Sequence, residues 1–345
     1  MNLEFQPLDL HNQIPLLQDL LKKGFPDSDI GLDFSPEILI WKFSESSQRG
    51  LSHIGLVDRV AASFYGVLPR KYSFEGANCE IGLVVDVLSV PAMRGKGLFV
   101  SSGINALKVL ETTGISSVIG FPIRPEVLPG HLKVGWKVNF SMPVYVYPIG
   151  SGPAHGFLPN IKKVILKFLY KALTPLRFSP SRSVSELSVN EFVTDKDVQQ
   201  FFSGQTVVGN ISLVKNPDFL KWRLSKPNAR YTCFVLRGTG VSATAVVRIM
   251  NIGGFQTLAI VDLESLSVKN SKTLMSHIAT FAATSRCDLI GFCSNKSNFK
   301  RLGLRRFGFL NSPKKFKVIT RSIGQSNHNL VEQFSRITWL DSDTV

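Results

Sequence analysis

Arg94-Gly95-Lys96-Gly97 is the stretch whose residue types and spacing point most directly to chemistry. Two glycines let a backbone come close to a bound group, and the Arg and Lys add positive charge beside them. From Leu98 the spacing turns helical. Phe99, Ala106, Leu107 and Leu110 share one face, and Gly114 is placed to end the helix. Before the turn, Leu83–Val90 is a short apolar run rich in β-branched residues, which predicts a buried strand stopped by Pro91. The N–H groups of a helix's first turn attract anions. Strand, basic glycine turn and helix start therefore predict a phosphate or pyrophosphate site.

The elements that would position this site run in order along the first 150 residues. Residues 3–25 read as a strand and then a helix with Ile14, Leu17, Leu20 and Leu21 inward. A second helical segment is centred on Ile38–Phe43. Residues 54–57 and 59–67 alternate as a hairpin does, 72–79 read as a polar connection, and Cys79–Val90 is the central strand. After the helix come a buried strand at 116–122, a short helix at 126–135 and Gly135-Trp136. An aromatic, β-branched strand, Val138–Pro148, follows.

Arg94-Gly95-Lys96-Gly97-Leu98-Phe99, followed by Gly135-Trp136 and a last strand, resembles the GCN5-related N-acetyltransferase (GNAT) family. Its acyl-CoA signature is Arg/Gln-x-x-Gly-x-Gly/Ala, and Phe99 stands here where the family has a small residue. The resemblance implies that residues 94–99 hold the pyrophosphate of acetyl-CoA. It also implies that main-chain groups of Leu88 and Val90 pair with the pantetheine arm. The second half repeats the outline. Phe219–Leu224 echoes Ile38–Phe43, Gln256–Leu263 is a central strand, 271–285 a helix, Gly308-Phe309 parallels Gly135-Trp136, and Lys314–Arg321 is a final strand. Its turn, Ser267–Ser271, has no Arg-x-x-Gly, so cofactor binding is expected to be lost there. The expected fold class is α/β, with two tandem GNAT-like folds, each a mixed, mostly antiparallel sheet flanked by helices. The expected domains are 1–150 (catalytic), 151–182 (a basic linker helix), 183–325 (a degenerate GNAT-like domain) and 326–345 (a tail).

Acyl transfer to an amine needs a base for the amine, a donor for the oxyanion and an acid for the departing thiolate. Asp86 is the candidate base. A carboxylate inside an apolar strand would be desolvated and its pKa raised; the other reading is a structural carboxylate hydrogen-bonded across the sheet. Glu80, nearer the strand's start, is the alternative base. The family often places a Tyr four residues before its Gly-aromatic pair. His131 holds that position here and is the candidate acid, or else caps the short helix.

Composition bounds the rest. The 345 residues carry a net charge of +15; residues 1–150 are near neutral at −1 and the rest carry +16. Residues 160–182 and 296–321 hold many Lys and Arg with no Asp or Glu. Such stretches suit an acidic partner: a nucleotide-linked substrate, an anionic glycan or a membrane surface. The apolar positions of 161–173 are helically spaced, as in a helix on an anionic membrane or in a packed linker. Cys79, Cys233, Cys287 and Cys293 form no metal-spaced set and are expected as free thiols, with no metal cofactor. No signal peptide or spanning run is evident, so the expected location is cytoplasmic, with 160–182 a candidate membrane contact. No Ser-His-Asp order, H-E-x-x-H or kinase set is present. The function expected is an acetyl-CoA-dependent N-acetyltransferase acting on an amino sugar of cell-surface polysaccharide synthesis. The rivals are a FemAB-like aminoacyl transferase using charged tRNA and a non-catalytic acyl-CoA or membrane-binding protein. The intact 94–99 turn argues against a nucleic-acid partner.

Overall fold

The computed structural model describes residues 2–25, 33–149, 179–205, 210–324, 334 and 336–343. The Gly/Pro joint at 151–159 and the basic helix expected over 160–182 lie outside them, apart from residues 179–182. The chain divides into two compact units. Unit 1 is Met1–Phe140 with Val208–Leu213 and Lys317–Phe334, and unit 2 is Ser141–Val207 with Val214–Phe316 and Ser335–Val345.

Unit 1 begins with β1 (Leu3–Pro7), α1 (Leu10–Gly24) and α2 (Pro36–Gln48). Asp9 starts α1 by accepting the N–H groups of His11 and Asn12, and Lys22 and Lys23 lie in its last turn. Next come β2 (His53–Val57), β3 (Val60–Phe74) and β4 (Ala77–Ser89). The polar stretch 72–79, expected as a connection, belongs to this long β3–β4 hairpin. Glu75 and Gly76, both at positive φ, make its two-residue turn. Then follow α3 (Leu98–Leu110), β5 (Ser117–Gly120) and α4 (Leu128–Lys133). Leu51, Tyr65, Val67, Ala106, Leu107, Leu110, Val118 and Trp136 are among the buried side chains of one core cluster.

Strand β6 (Lys137–Pro148) does not close unit 1 as the sequence suggests. Its Val144–Pro148 portion pairs antiparallel with β12 (Leu289–Cys293) of unit 2. After β6 come β7 (Val184–Leu187), α5 (Val189–Thr194) and α6 (Lys196–Ser203), then β8 (Ile211–Leu213), which pairs with β3 in unit 1. The chain continues through α7 (Pro217–Leu224), β9 (Thr232–Arg237), β10 (Val241–Ile252), β11 (Phe255–Ser265) and α8 (Val268–Thr284). After β12 come α9 (Lys296–Arg301) and β13 (Leu310–Ser322). Ile319–Ser322 of β13 pairs antiparallel with β5 of unit 1.

Each unit's sheet is thus completed by a strand that starts in the other. Unit 1 runs β1-β2-β3-β4-β5-β13, and unit 2 runs β7-β9-β10-β11-β12-β6. In each, an antiparallel run ends at one parallel pair (β4–β5, β11–β12) joined through a helix, and the exchanged strand is antiparallel beyond it. The sequence could not reveal the exchange, because alternation in Val138–Pro148 and Lys314–Arg321 marks a strand without naming its partner. The division also departs from the expected boundary at 150. The presumed tail is built in: Phe334 bridges Ile211 and meets Tyr72 edge-on, while Trp339, Leu340 and Asp341 are buried.

Candidate functional site

The site of unit 1 begins where two parallel strands part. β4 pairs with β5 only from Ile81↔Ser117 to Val84↔Gly120, although β4 continues to Ser89. Val85–Ser89 therefore presents about 16 Å of strand edge beyond the end of the β5 ladder. A bulge lies at the opening: Val85 stands opposite Gly66 and Leu88 opposite Phe64, so Asp86 and Val87 together face Tyr65. Asp86 adopts a left-handed backbone at φ 51°. A non-glycine residue held there is strained, and such strain often marks a functional position.

Val90 corrects one expectation. Its N–H is already given to the Ala62 carbonyl at 2.9 Å, on the β3 side. Strand alternation then turns the main chain of Leu88 toward β3 as well. The edge facing the fork is that of Val87 and Ser89, two residues that the family pattern did not mark. The Ser89 hydroxyl is buried and has no hydrogen-bond partner.

Beyond the fork lies the glycine turn. Gly95 and Gly97 sit at φ 76° and 80°, where an added Cβ would meet nothing within 4 Å. That conformation, rather than crowding, demands glycine. Gly97 is the N-cap of α3 with no side-chain cap, and no acidic residue lies in the first turn. Among the described residues no side chain caps the first N–H groups of α3, which are the kind of donors that attract an anion. Arg94, Gly95, Lys96 and Gly97 are exposed, whereas Leu98 is buried and anchors the helix. Phe99 leans away onto α4. A Cβ on Gly130 would lie 2.5 Å from its ring, so the small residue missing at 99 reappears at 130.

The titratable candidates fare differently. Asp86 is not alone among apolar groups: Lys42 of α2 donates to its carboxylate at 2.9 Å, with both side chains largely buried. Glu80 stands at the closed end of the ladder, roughly 20 Å from Asp86 along the strand. Both its oxygens are held by Arg49, at 2.8 and 2.6 Å. The structure does not bring Glu80 to the fork. His131 is buried between the rings of Phe99 and Trp136, at 5.1 and 5.2 Å, and its Nδ1 has no partner. Burial pushes its pKa down to about 4, so the ring is neutral at neutral pH. A neutral imidazole can donate a hydrogen bond but is a poor proton source.

Unit 2 repeats the fork and fills it. β11 pairs with β12 as far as Ile260↔Phe292, and a bulge falls beside Ile260. Past that point Thr338 of the C-terminal segment bridges Ser294 and donates to Asp262 at 3.1 Å. Trp339 packs against Gly291, and Arg223 holds the Ser342 carbonyl at 3.1 Å. Counted from the last parallel pair, Val84 in unit 1 and Ile260 in unit 2, the positions of Asp86 and Leu88 are held in unit 2 by Asp262 and Glu264. Buried Lys215 binds these at 2.6 and 3.0 Å, and Arg301 and Arg336 reach Glu264 at 2.9 and 3.4 Å. Burial raises the Asp262 pKa against the pull of Lys215. For Glu264 burial also works upward, but Lys215, Arg301 and Arg336 more than offset it and hold the pKa below the usual range. The start of α8 is capped from within, by Ser267 accepting the Asn270 N–H.

Among the described residues there is no group of three or more metal-ligating side chains, and the cysteines are free. No described helix is long and apolar enough to cross a membrane.

No family model and no curated protein matches the chain. Solved structures do. A GCN5-related N-acetyltransferase from Anabaena variabilis ATCC 29413 matches at TM-score 0.65 and 14% identity, over 94% of this chain and 73% of that one. A probable N-acyltransferase from Enterococcus faecalis V583 matches at 0.62 and 14%, over 96% and 75%. Saccharomyces cerevisiae N-myristoyltransferase with bound myristoyl-CoA matches at 0.60 and 10%, over 97% and 84%. At such identities the likeness is one of fold: this chain has the fold of the GCN5-related N-acetyltransferases.

Proposed function

We propose that unit 1 is an N-acyltransferase that moves an acyl group from acyl-CoA to a primary amine. The observation that carries this reading is the bulged fork of β4 and β5 leading to the uncapped α3 start at Gly97. The fold of acyl-CoA-dependent neighbours supports it.

The bound thioester supplies an activated acyl carbon. The N–H groups after Gly97, with Arg94 and Lys96, suit a pyrophosphate. The main-chain edge of Val87 and Ser89 suits the amides of a pantetheine arm. The Val87 N–H is the donor placed to hydrogen-bond the oxyanion as the amine attacks. Asp86, kept in position by Lys42, takes the proton from the acceptor ammonium so that the neutral amine can add. His131, neutral at this pH, acts as a hydrogen-bond donor. Collapse of the adduct breaks the C–S bond, and the departing thiolate takes up the proton that the adduct nitrogen sheds, so no imidazolium is needed.

An amino sugar on an acidic carrier is the acceptor we favour, in keeping with cell-surface polysaccharide synthesis. The exposed Lys296, Lys300, Arg305, Arg306, Lys314 and Lys315 of unit 2 suit acidic groups. The test is thiol release from acetyl-CoA and, separately, from myristoyl-CoA, with amino sugars and a peptide N-terminus as acceptors. Asp86→Asn should lower kcat by ~100-fold or more while acyl-CoA affinity is kept. Unchanged kcat would remove Asp86 as the base. Binding without turnover on any amine would leave a non-catalytic acyl-CoA-binding protein.

A further inference from the structure

Two arginines from opposite sides of the unit 1 fork meet at one oxygen. Arg94, in the turn after β4, donates Nη2 to the Gly24 carbonyl at 3.3 Å. Arg124, in the loop between β5 and α4, donates Nη1 to the same oxygen at 3.3 Å. The two nitrogens are therefore no more than about 6.6 Å apart by that geometry. Gly24 is the last residue of α1, and it lies so close to β4 that an added Cβ would stand 2.6 Å from the Leu88 side chain. The meeting point is thus fixed beside the fork. Arg124 is steadied from two other directions. Its guanidinium lies 4.7 Å from the Phe25 ring centre, and Nε reaches Glu126 at 3.3 Å. Glu126 itself is exposed, so that pair is weakly held.

One carbonyl is a small return for two guanidiniums. Its partial negative charge at the end of α1 helps to gather them, but each guanidinium carries five donors in a planar fork and a full charge. Bringing two such groups together over a single neutral acceptor makes a place for a dianionic or pyrophosphate group, which each can grip with paired N–H donors. Arg94 is continuous with the Gly95–Gly97 turn, so the shared anion is the one that reaches that turn.

We infer that Arg124 is a second phosphate-binding residue of the acyl-CoA site, closing with Arg94 on the cofactor's phosphate groups from the β5 side. The inference rests on the acyl-CoA reading of unit 1 and adds to it a residue that no motif marks. It also assigns the β5–α4 loop a role in cofactor choice.

The test is titration calorimetry of the full chain with CoA, 3′-dephospho-CoA and pantetheine, using wild type, Arg124→Ala and Arg124→Lys. Loss of a charge-assisted contact should weaken CoA binding by about 10- to 100-fold in Arg124→Ala. Arg124→Lys should recover part of it, because a point charge cannot reproduce the fork. Pantetheine affinity should not change. An equal loss with dephospho-CoA assigns Arg124 to the pyrophosphate; a loss seen only with CoA assigns it to the 3′-phosphate. Either outcome supports the inference. CoA affinity within twofold of wild type in Arg124→Ala, with the wild type binding normally, overturns the inference and leaves the acyl-CoA reading standing. A wild type that binds no CoA overturns both. Matching thermal midpoints for wild type and Arg124→Lys guard against a folding artefact.

Discussion

The two forks of this chain are built alike and end differently. In unit 1 the strands part at Val84 and Gly120, and the path beyond runs to a helix start that has no cap of its own. In unit 2 they part at Ile260 and Phe292, and the chain's own Thr338 is seated there. Ser267 takes up the waiting N–H of α8. The contrast teaches that a binding slot in this topology is a default of the backbone. A parallel pair that diverges past a bulge leaves a strand edge seeking a partner. In unit 1 the β4–β5 pairing stops at Val84 and Gly120, and in unit 2 the chain's own Thr338 is bridged to Ser294 past the corresponding point. Unit 2 also buries a second carboxylate, Glu264, beside Asp262, which is tolerated only because Lys215, Arg301 and Arg336 surround the pair.

The largest expected effect probes the filled fork. Lys215→Ala leaves Asp262 and Glu264 buried with their shared ammonium gone. It should cost about 3–5 kcal/mol, read as a lower denaturation midpoint. A midpoint equal to wild type would mean that the charge cluster does not hold unit 2 together.

Slightly smaller is the acid response of the open fork. The folded pKa of His131, about 4, lies below its ordinary value of 6.5. Between those values the unfolded chain binds a proton that the folded chain does not, so stability falls as pH drops from 6.5 toward 4. The full loss is on the order of 3 kcal/mol. His131→Leu should flatten this part of the stability–pH curve, as measured by urea unfolding at several pH values. The same curve in wild type and variant would show that His131 titrates normally.

The smallest effect separates capping from ligand binding. Ser267→Ala removes the self-made cap of α8 and should cost about 1 kcal/mol. It should not create a second acyl-CoA site, because Thr338 still occupies the fork. A gain of binding in Ser267→Ala would mean that the cap alone closes unit 2.

Much of this contrast was legible in the residues. Gly95 and Gly97 announced a tight turn and Ser267–Ser271 a connection without its glycines, because backbone conformation is written locally, although the helix there starts at Val268, three residues earlier than its apolar spacing suggested. What stayed hidden depends on pairing. Nothing in Val138–Pro148 says that it will join β12, and nothing in Thr338 says that it will join Ser294. Asp86 stood out as a carboxylate in an apolar strand, but its partner Lys42 lies 44 residues away on a helix whose orientation the sequence does not give. The bulge moved the fork-facing edge from Leu88 and Val90 to Val87 and Ser89, a one-residue shift to which periodicity is blind. Arg124 escaped notice because a lone arginine in a Pro-rich loop has no local signature. Its meaning comes from meeting Arg94 at Gly24.

The most direct test of an open fork beside a filled one is the stoichiometry of acyl-CoA binding. Calorimetric titration of the full chain with acetyl-CoA, beside a Gly97→Glu variant, counts the sites and locates them. One site per chain, lost when a carboxylate is placed at the start of α3, is the expected result. Two sites, or one site that survives Gly97→Glu, would contradict the account, and so would no binding at all.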